Sequence, residues 1–133
     1  MIQSFRHFIP AFLWALVIFM IISAPASSLP ATDKLNIPHI DKIVHFIIFA
    51  ILGGLMIRGF LLRGSTRTKG VIVSLICGLL YGVMTEYLQH CCLDDRHGNF
   101  ADVLANSFGT VFGIFLMMVI AFRRSVRKTF PKQ

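Results

Sequence analysis

Residues 43–62 read IVHFIIFAILGGLMIRGFLL, a stretch in which only His45 and Arg58 are ionisable. Its length matches the roughly 20 residues that a helix needs to cross the hydrocarbon core of a bilayer. Because no water reaches backbone N–H and C=O groups there, a long apolar run must satisfy them internally as a helix. The stretch therefore predicts a membrane-spanning helix.

Three further stretches, at residues 8–24, 70–88 and 103–122, are comparably apolar. The 133-residue chain is 56% hydrophobic and 14% charged, which leaves too few polar side chains to cover a soluble globule. A short basic turn at residues 63–69 makes the second and third helices antiparallel neighbours. We predict an all-α polytopic membrane protein, a four-transmembrane-helix bundle forming one domain over residues 1–133.

The first stretch has two interpretations. It ends in Ala24-Pro25-Ala26, which resembles the small-x-small cleavage site of a secretory signal peptide. Trp14 and the Phe-rich run are compatible with a retained helix, which is the interpretation we favour. The orientation of the remaining helices is the same under both interpretations.

The distribution of basic residues predicts the orientation. Lys and Arg are retained on the cytoplasmic side far more often than they are translocated. Of the 13 basic residues, all but Lys34, Lys42 and Arg96 flank the two termini or the 63–69 turn. We therefore expect both termini in the cytoplasm and the protein in the inner (plasma) membrane. The basic residues behind the net charge of +7 then set the orientation in the membrane and contact membrane lipids. We therefore expect no nucleic-acid partner.

The acidic residues all fall toward the opposite, exoplasmic side: Asp33, Asp41, Glu86, Asp94, Asp95 and Asp102. Residues three or four apart share a helix face, which gives three polar pairs at outer helix ends: Asp41 with His45, Glu86 with Gln89, and Asp102 with Asn106. If the last three helices pack together, these pairs converge. Ionisable groups in a membrane segment usually face the bundle interior or a wet cavity.

A purely structural role would also explain each of these residues. Asp41 and Asp102 have the position of helix N-caps. His45 can reach the headgroups, and Glu86, Gln89 and Asn106 can fasten helices together by hydrogen bonds. The concentration of so many polar groups on one side favours a functional site.

Two sequence patterns concern packing and metals. Ala105, Gly109 and Gly113 recur every four residues and present a small-residue face to another helix. Glu86 and His90 have metal-ligand spacing, and three further residues could complete a site, namely His45, His97 and Asp102. No HExxH stretch is present, and we expect neither a metal nor another cofactor.

Several segments taken together are similar to a known family. They are DKIVHF at residues 41–46, YGVMTEYLQ at 81–89, Arg96, and DVLANSFG at 102–109. Their order and spacing resemble the VanZ-like family of membrane proteins over roughly residues 10 to 120. The resemblance implies that these positions match the family's characteristic polar residues: Asp41, Lys42, His45, Glu86, Gln89, Arg96, Asp102 and Asn106. Family members are associated with glycopeptide (teicoplanin) resistance and cell-envelope roles, so we expect envelope homeostasis or such resistance.

Two functional hypotheses follow, and whether the protein is an enzyme stays open. In the first, an outer pocket binds a lipid headgroup or envelope molecule through five residues: Asp41, Lys42, Gln89, Arg96 and Asn106. In the second, a membrane-embedded enzyme acts on a lipid-linked envelope substrate, with His45, Glu86 and Asp102 as general acids or bases. A proton-coupled carrier is disfavoured, because the inner helix halves lack ionisable groups apart from Arg58. Assembly of several copies also remains open.

Overall fold

The computed structural model describes residues 5–23, 40–92 and 99–129. A single 3-10 turn at Arg6–Phe8 precedes four α-helices: α1 (Ile9–Ser23), α2 (Ile40–Leu62), α3 (Arg67–Cys92) and α4 (Phe100–Thr129). The described residues contain no strand. The predicted all-α fold with four helices is confirmed.

Four helical segments of 18 to 27 residues are long and apolar enough to cross a membrane, and the first of them, Arg6–Ser23, joins the 3-10 turn to α1. The predicted bounds for the last three helices were too short, because α2, α3 and α4 all begin three residues earlier than predicted. α3 also continues through His90, and α4 continues past Arg123. Hydropathy identifies only the residues that cross the hydrocarbon core, whereas the helices continue into the polar layers on either side of it.

The turn between α2 and α3 is a glycine-terminated helix end. Gly64 has a φ of +78°, a left-handed conformation that costs glycine little. The N–H of Gly64 donates to the carbonyl of Leu61 at 3.2 Å, and the N–H of Ser65 donates to the carbonyl of Phe60 at 3.1 Å. This pair of bonds is a Schellman motif, which closes the helix and reverses the chain. α3 consequently runs back along α2, as predicted.

α2 and α4 form the most closely packed helix pair. A Cβ added at Gly113 would overlap the backbone carbonyl of Ala50, and one added at Gly109 would overlap the carbonyl of Phe46. Only glycine permits this backbone approach, so the predicted small-residue face of α4 is confirmed. Both helices begin at the same end of the bundle, and α2 and α4 therefore run parallel.

α1 lies antiparallel to α2 and contacts α3. The indole N–H of Trp14 donates to the carbonyl of Ile48 at 2.8 Å, and the hydroxyl of Tyr81 donates to the carbonyl of Ala15 at 2.7 Å. Phe8 meets Phe60 edge to face, with ring centroids 4.8 Å apart. These contacts fix α1 along its length. The Ala24–Ala26 sequence lies outside the described residues.

The two ends of the bundle differ in charge. One end, termed the polar end, holds the first turns of α2 and α4 and the last turns of α3, with the described carboxylates Asp41, Glu86 and Asp102. The opposite end, termed the basic end, holds the start of α1, the α2–α3 turn and the last turns of α4. Exposed basic residues lie there: Arg6, Arg63, Arg67, Lys69, Arg123 and Arg124. The helices thus separate the charges as the sequence predicts.

Candidate functional site

Three helices supply the side chains of the polar end. α2 carries Asp41, Lys42 and His45, while α3 contributes the carboxylate of Glu86 and α4 that of Asp102. Glu86 is 5% exposed and Asp102 8%, although both are ionisable. Burying such groups is costly unless they have partners, so their surroundings decide what the site can do.

The described amides of the site are equally buried. Gln89 is 5% exposed and Asn106 only 1%. Asn106 fits between α3 and α4 because Gly82 lies opposite, where an added Cβ would stand 3.0 Å from the Cβ of Asn106. The structure thus brings together members of all three polar pairs that the sequence predicts to converge, namely His45, Glu86, Asp102 and Asn106.

Asn106 links His45 to Glu86. Its Nδ2 donates to Glu86 Oε1 at 3.4 Å, and its Oδ1 lies 3.0 Å from Nδ1 of His45. Because the amide nitrogen faces a carboxylate, the amide oxygen must be the acceptor toward the imidazole. We therefore assign the donating hydrogen to Nδ1 of His45. The same nitrogen also lies 3.4 Å from Glu86 Oε1.

Lys42 bridges two carboxylates at the mouth of the site. Its Nζ lies 2.8 Å from Asp41 Oδ2 and 3.3 Å from Asp102 Oδ1. The first contact is a hydrogen bond, but the second is only a charge contact, because buried Asp102 Oδ1 has no hydrogen-bond partner. The side chain of Asp41 is 54% exposed and that of Lys42 28%, against 12% for Asp102. Exposure therefore falls steadily from the helix ends inward.

The N-cap expected at Asp102 is wrong, and Asp41 lies inside the first turn of α2 instead of directly before it. α2 begins at Ile40, which places Asp41 within the first turn, where its carboxylate accepts from Lys42. α4 begins at Phe100, and Asn99 caps it by accepting from the backbone N–H of Ala101 at 3.0 Å. The carboxylate of Asp102 consequently faces Lys42 on the neighbouring helix α2.

Asn99 is the site residue that sequence reasoning missed. Its backbone N–H donates to Glu86 Oε2 at 3.3 Å, in addition to its capping bond. The available signal was an asparagine one residue before an apolar run, which is a common N-cap position. Arg96 and His97 lie outside the described residues, so their predicted roles stay predictions.

A trio of ligand-type side chains forms the floor of the site. His45, Glu86 and Asp102 each offer one atom, and these atoms all lie within 4.8 Å of one another. His90, which the sequence spacing paired with Glu86, is exposed and does not belong to this trio. The three side chains come from three helices, so their proximity could not be derived from spacing along one helix. We term Lys42, His45, Glu86, Asp102 and Asn106 the polar cluster.

Comparison with known proteins identifies the family of the chain. The model of the VanZ/LLP1 family matches residues 2–122, which include all four membrane-spanning helices for most of their length. An uncharacterized protein of the fission yeast Schizosaccharomyces pombe is 30% identical over 126 residues, covering 93% of this chain and 74% of the yeast protein. No solved structure matches the chain significantly. On the family match and this similarity, the chain belongs to the VanZ/LLP1 family.

Proposed function

We propose that the polar end faces away from the cytoplasm and that its polar cluster binds the headgroup of a membrane lipid or another cell-envelope molecule. The observation that carries this proposal is the joining of α2, α3 and α4 by one buried network that becomes more exposed toward the helix ends. A headgroup lying at the membrane surface would meet Lys42 first and the buried groups last.

The chemistry of the polar cluster suits a ligand with several polar groups. Lys42 supplies a cation at the mouth, and the first turns of α2 and α4 direct the positive ends of two helix dipoles to the same place. These features favour a phosphate. Glu86, Asp102 and Asn106 offer acceptors for the amine or hydroxyl groups that many headgroups also carry. Arg96, by its place in the sequence, is the second cation proposed to hold an anionic group.

The depth of the polar cluster fits a headgroup rather than a ligand within the acyl chains. Glu86 lies roughly 9 Å from the end of α3 at 1.5 Å per residue, and Asp102 lies in the first turn of α4. Both positions fall near the boundary between the hydrocarbon and the polar layer. The cell inner (plasma) membrane is the proposed location, with both termini and the α2–α3 turn in the cytoplasm.

A purely structural role for these residues explains less of the arrangement. Polar groups that only fasten helices are expected to satisfy each other. Glu86 and Asn106 do so, but Asp102 Oδ1 is buried without a hydrogen-bond partner, and Lys42 remains partly exposed beside it. Unused bonding capacity at the mouth of a buried network is expected of a binding site.

Titration of labelled lipids tests the proposal. Fluorescent phosphatidylglycerol and phosphatidylethanolamine are added to the full chain in maltoside detergent, with Lys42→Gln and Lys69→Gln as a matched pair. Lys69 lies at the basic end, so its replacement removes the same charge without touching the polar cluster. We expect Lys42→Gln to weaken binding of at least one lipid about tenfold while Lys69→Gln binds normally. Equal binding by both variants would contradict the proposal.

A second candidate function is catalysis on a lipid-linked envelope substrate. The observation that favours it is the 3.4 Å separation of His45 Nδ1 and Glu86 Oε1, an imidazole and a carboxylate within reach of proton exchange. In that case Glu86→Gln abolishes turnover while the amount of protein in the membrane stays constant. Comparing lipids and envelope precursors of cells with and without the gene would identify a substrate, and teicoplanin sensitivity of the same cells tests the resistance role.

A further inference from the structure

His45, Glu86 and Asp102 combine the features of a metal site. They contribute one imidazole and two carboxylates from three helices, and one ligand atom of each lies within 4.8 Å of the other two. We infer that this trio binds a divalent metal ion, Zn²⁺ or Mn²⁺, at the floor of the polar cluster. The inference deepens the proposed function. One part of it rests on that proposal, namely that the ion also binds a phosphate oxygen of the headgroup.

The separations are close to those that a metal requires. With ligand atoms about 2.0–2.2 Å from zinc, neighbouring ligands in a tetrahedral site lie about 3.3 Å apart. Nδ1 of His45 and Oε1 of Glu86 are already 3.4 Å apart. Asp102 lies in the first turn of α4, and closing the widest separation of 4.8 Å requires movement of about 1.5 Å. Side-chain rotation can supply such a movement without shifting the helices.

The charges of the polar end call for a cation. Among the described residues there, three carboxylates lie with one ammonium group and two imidazoles, of which that of His90 is exposed and outside the trio. Lys42 compensates part of this excess, but its Nζ is held at 2.8 Å by Asp41 and makes no hydrogen bond to Asp102 Oδ1. Asp102 is 8% exposed, so this oxygen is buried with its bonding capacity unused. A metal ion would supply both the missing charge and the missing bond.

The donor set indicates which metals fit. Imidazole is typical of zinc and other transition metals, and carboxylate oxygen also suits manganese, so one imidazole with two carboxylates accommodates both ions. Three protein ligands leave at least one coordination position open for water or for an oxygen of the headgroup phosphate. Coordination through Nδ1 of His45 uses the lone pair of that nitrogen, so in the metal-bound form the hydrogen would lie on Nε2 and the bond from Nδ1 to Asn106 would be given up. Asn106 would continue to hold the carboxylate of Glu86.

A matched pair of histidine variants tests the site with the metal alone. The full chain without an affinity tag is purified in maltoside detergent, stripped with EDTA, and titrated with Mn²⁺ and Zn²⁺ by calorimetry. His45→Asn removes a proposed ligand, whereas His7→Asn removes an imidazole at the basic end, away from the trio. We expect one ion per chain, at least tenfold weaker binding in His45→Asn, and less than a twofold change in His7→Asn.

Two results would overturn the inference: no saturable binding of either ion by the unaltered chain, or equal losses in both variants. Because a buried substitution can disturb folding, a second measurement uses the unaltered protein. Pulsed electron paramagnetic resonance of bound Mn²⁺ should detect one imidazole nitrogen, and that signal should disappear in His45→Asn. Bound Mn²⁺ with no coupled nitrogen in the unaltered chain would also overturn the inference.

Failure of the metal site can be distinguished from failure of the proposed function. Labelled phosphatidylglycerol is titrated in EDTA and again with saturating Zn²⁺. Lipid binding in EDTA, together with no metal binding, would refute the metal site and leave the proposed function intact. If the metal binds as expected above but the lipid binds under neither condition, the metal site is supported and the proposal that the polar cluster binds a headgroup is refuted. Lipid binding that is at least tenfold tighter with Zn²⁺ than in EDTA would support both the metal site and headgroup binding.

Discussion

The side-chain amide of Asn106 on α4 donates to the carboxylate of Glu86 on α3 at 3.4 Å, and both residues are at most 5% exposed. A polar contact so removed from water is costly to break, because the remaining partner loses a bond that no solvent replaces. It also fixes the position of Glu86, whose other oxygen accepts from the backbone of Asn99. The bond between α3 and α4 therefore determines the geometry of the polar cluster.

Replacing Asn106 by leucine should destabilise the protein by about 1–3 kcal/mol, since Glu86 and His45 each lose a buried partner. The free energy of unfolding in mixed detergent–SDS micelles measures the change. Ser107→Ala is the control, because that hydroxyl bonds only to the carbonyl of Val103 within α4. Equal free energies of unfolding for the two variants would show that the bond between Asn106 and Glu86 does not contribute to stability.

Gly113→Ala should weaken the bundle by about 1–3 kcal/mol or prevent its assembly, because the added methyl group overlaps the carbonyl of Ala50. Gly54→Ala adds the same group at the same helix interface, but its nearest neighbour stands at 3.4 Å, an ordinary contact. We expect Gly54→Ala to unfold like the unaltered chain in the same SDS titration. Tolerance of both substitutions would mean that α2 and α4 are not packed as closely as described.

Trp14→Phe should cost about 0.6 kcal/mol, the average worth of a hydrogen bond between membrane helices, since the indole bond to Ile48 is lost while an aromatic ring remains. Phe19→Leu on the same helix is the control, because Phe19 is 44% exposed on the outer surface of the bundle. The free energy of unfolding again provides the measurement. A larger loss for Phe19→Leu than for Trp14→Phe would contradict this account of how α1 is held.

Cysteine labelling should determine the orientation. Cys91 is an exposed free thiol at the polar end, and Thr66 lies exposed in the turn at the basic end. With Cys91 as the only cysteine, a membrane-impermeant maleimide should label intact cells. With Thr66→Cys as the only cysteine, labelling should require permeabilised cells. The reverse pattern would place the polar end in the cytoplasm and refute the proposed orientation.

The sequence predicts the helices and the polar side chains of the site, but not the bonds among them. Apolar runs are set by bilayer thickness, so four helices could be recognised with bounds that were too short. Helical spacing identified Asp102 with Asn106 and Glu86 with Gln89 as same-face pairs. Spacing along one helix says nothing about which atom of α4 meets α3, so the link from Asn106 to Glu86 required the structure. The capping role of Asn99 was missed because acidic residues nearby offered more obvious caps.

The approach of Gly109 and Gly113 to the backbone of α2 has a consequence for how a ligand could enter. Two helices in backbone contact behave as a single rigid body, because neither can slide or tilt without a steric clash. α3 meets that pair through the buried side chains of Asn106 and Thr110, which lie against Gly82 and Gly78. A lipid that entered laterally between the helices would have to break only side-chain contacts of α3, among them the bond from Asn106 to Glu86, while the parallel helices stay together as a fixed frame.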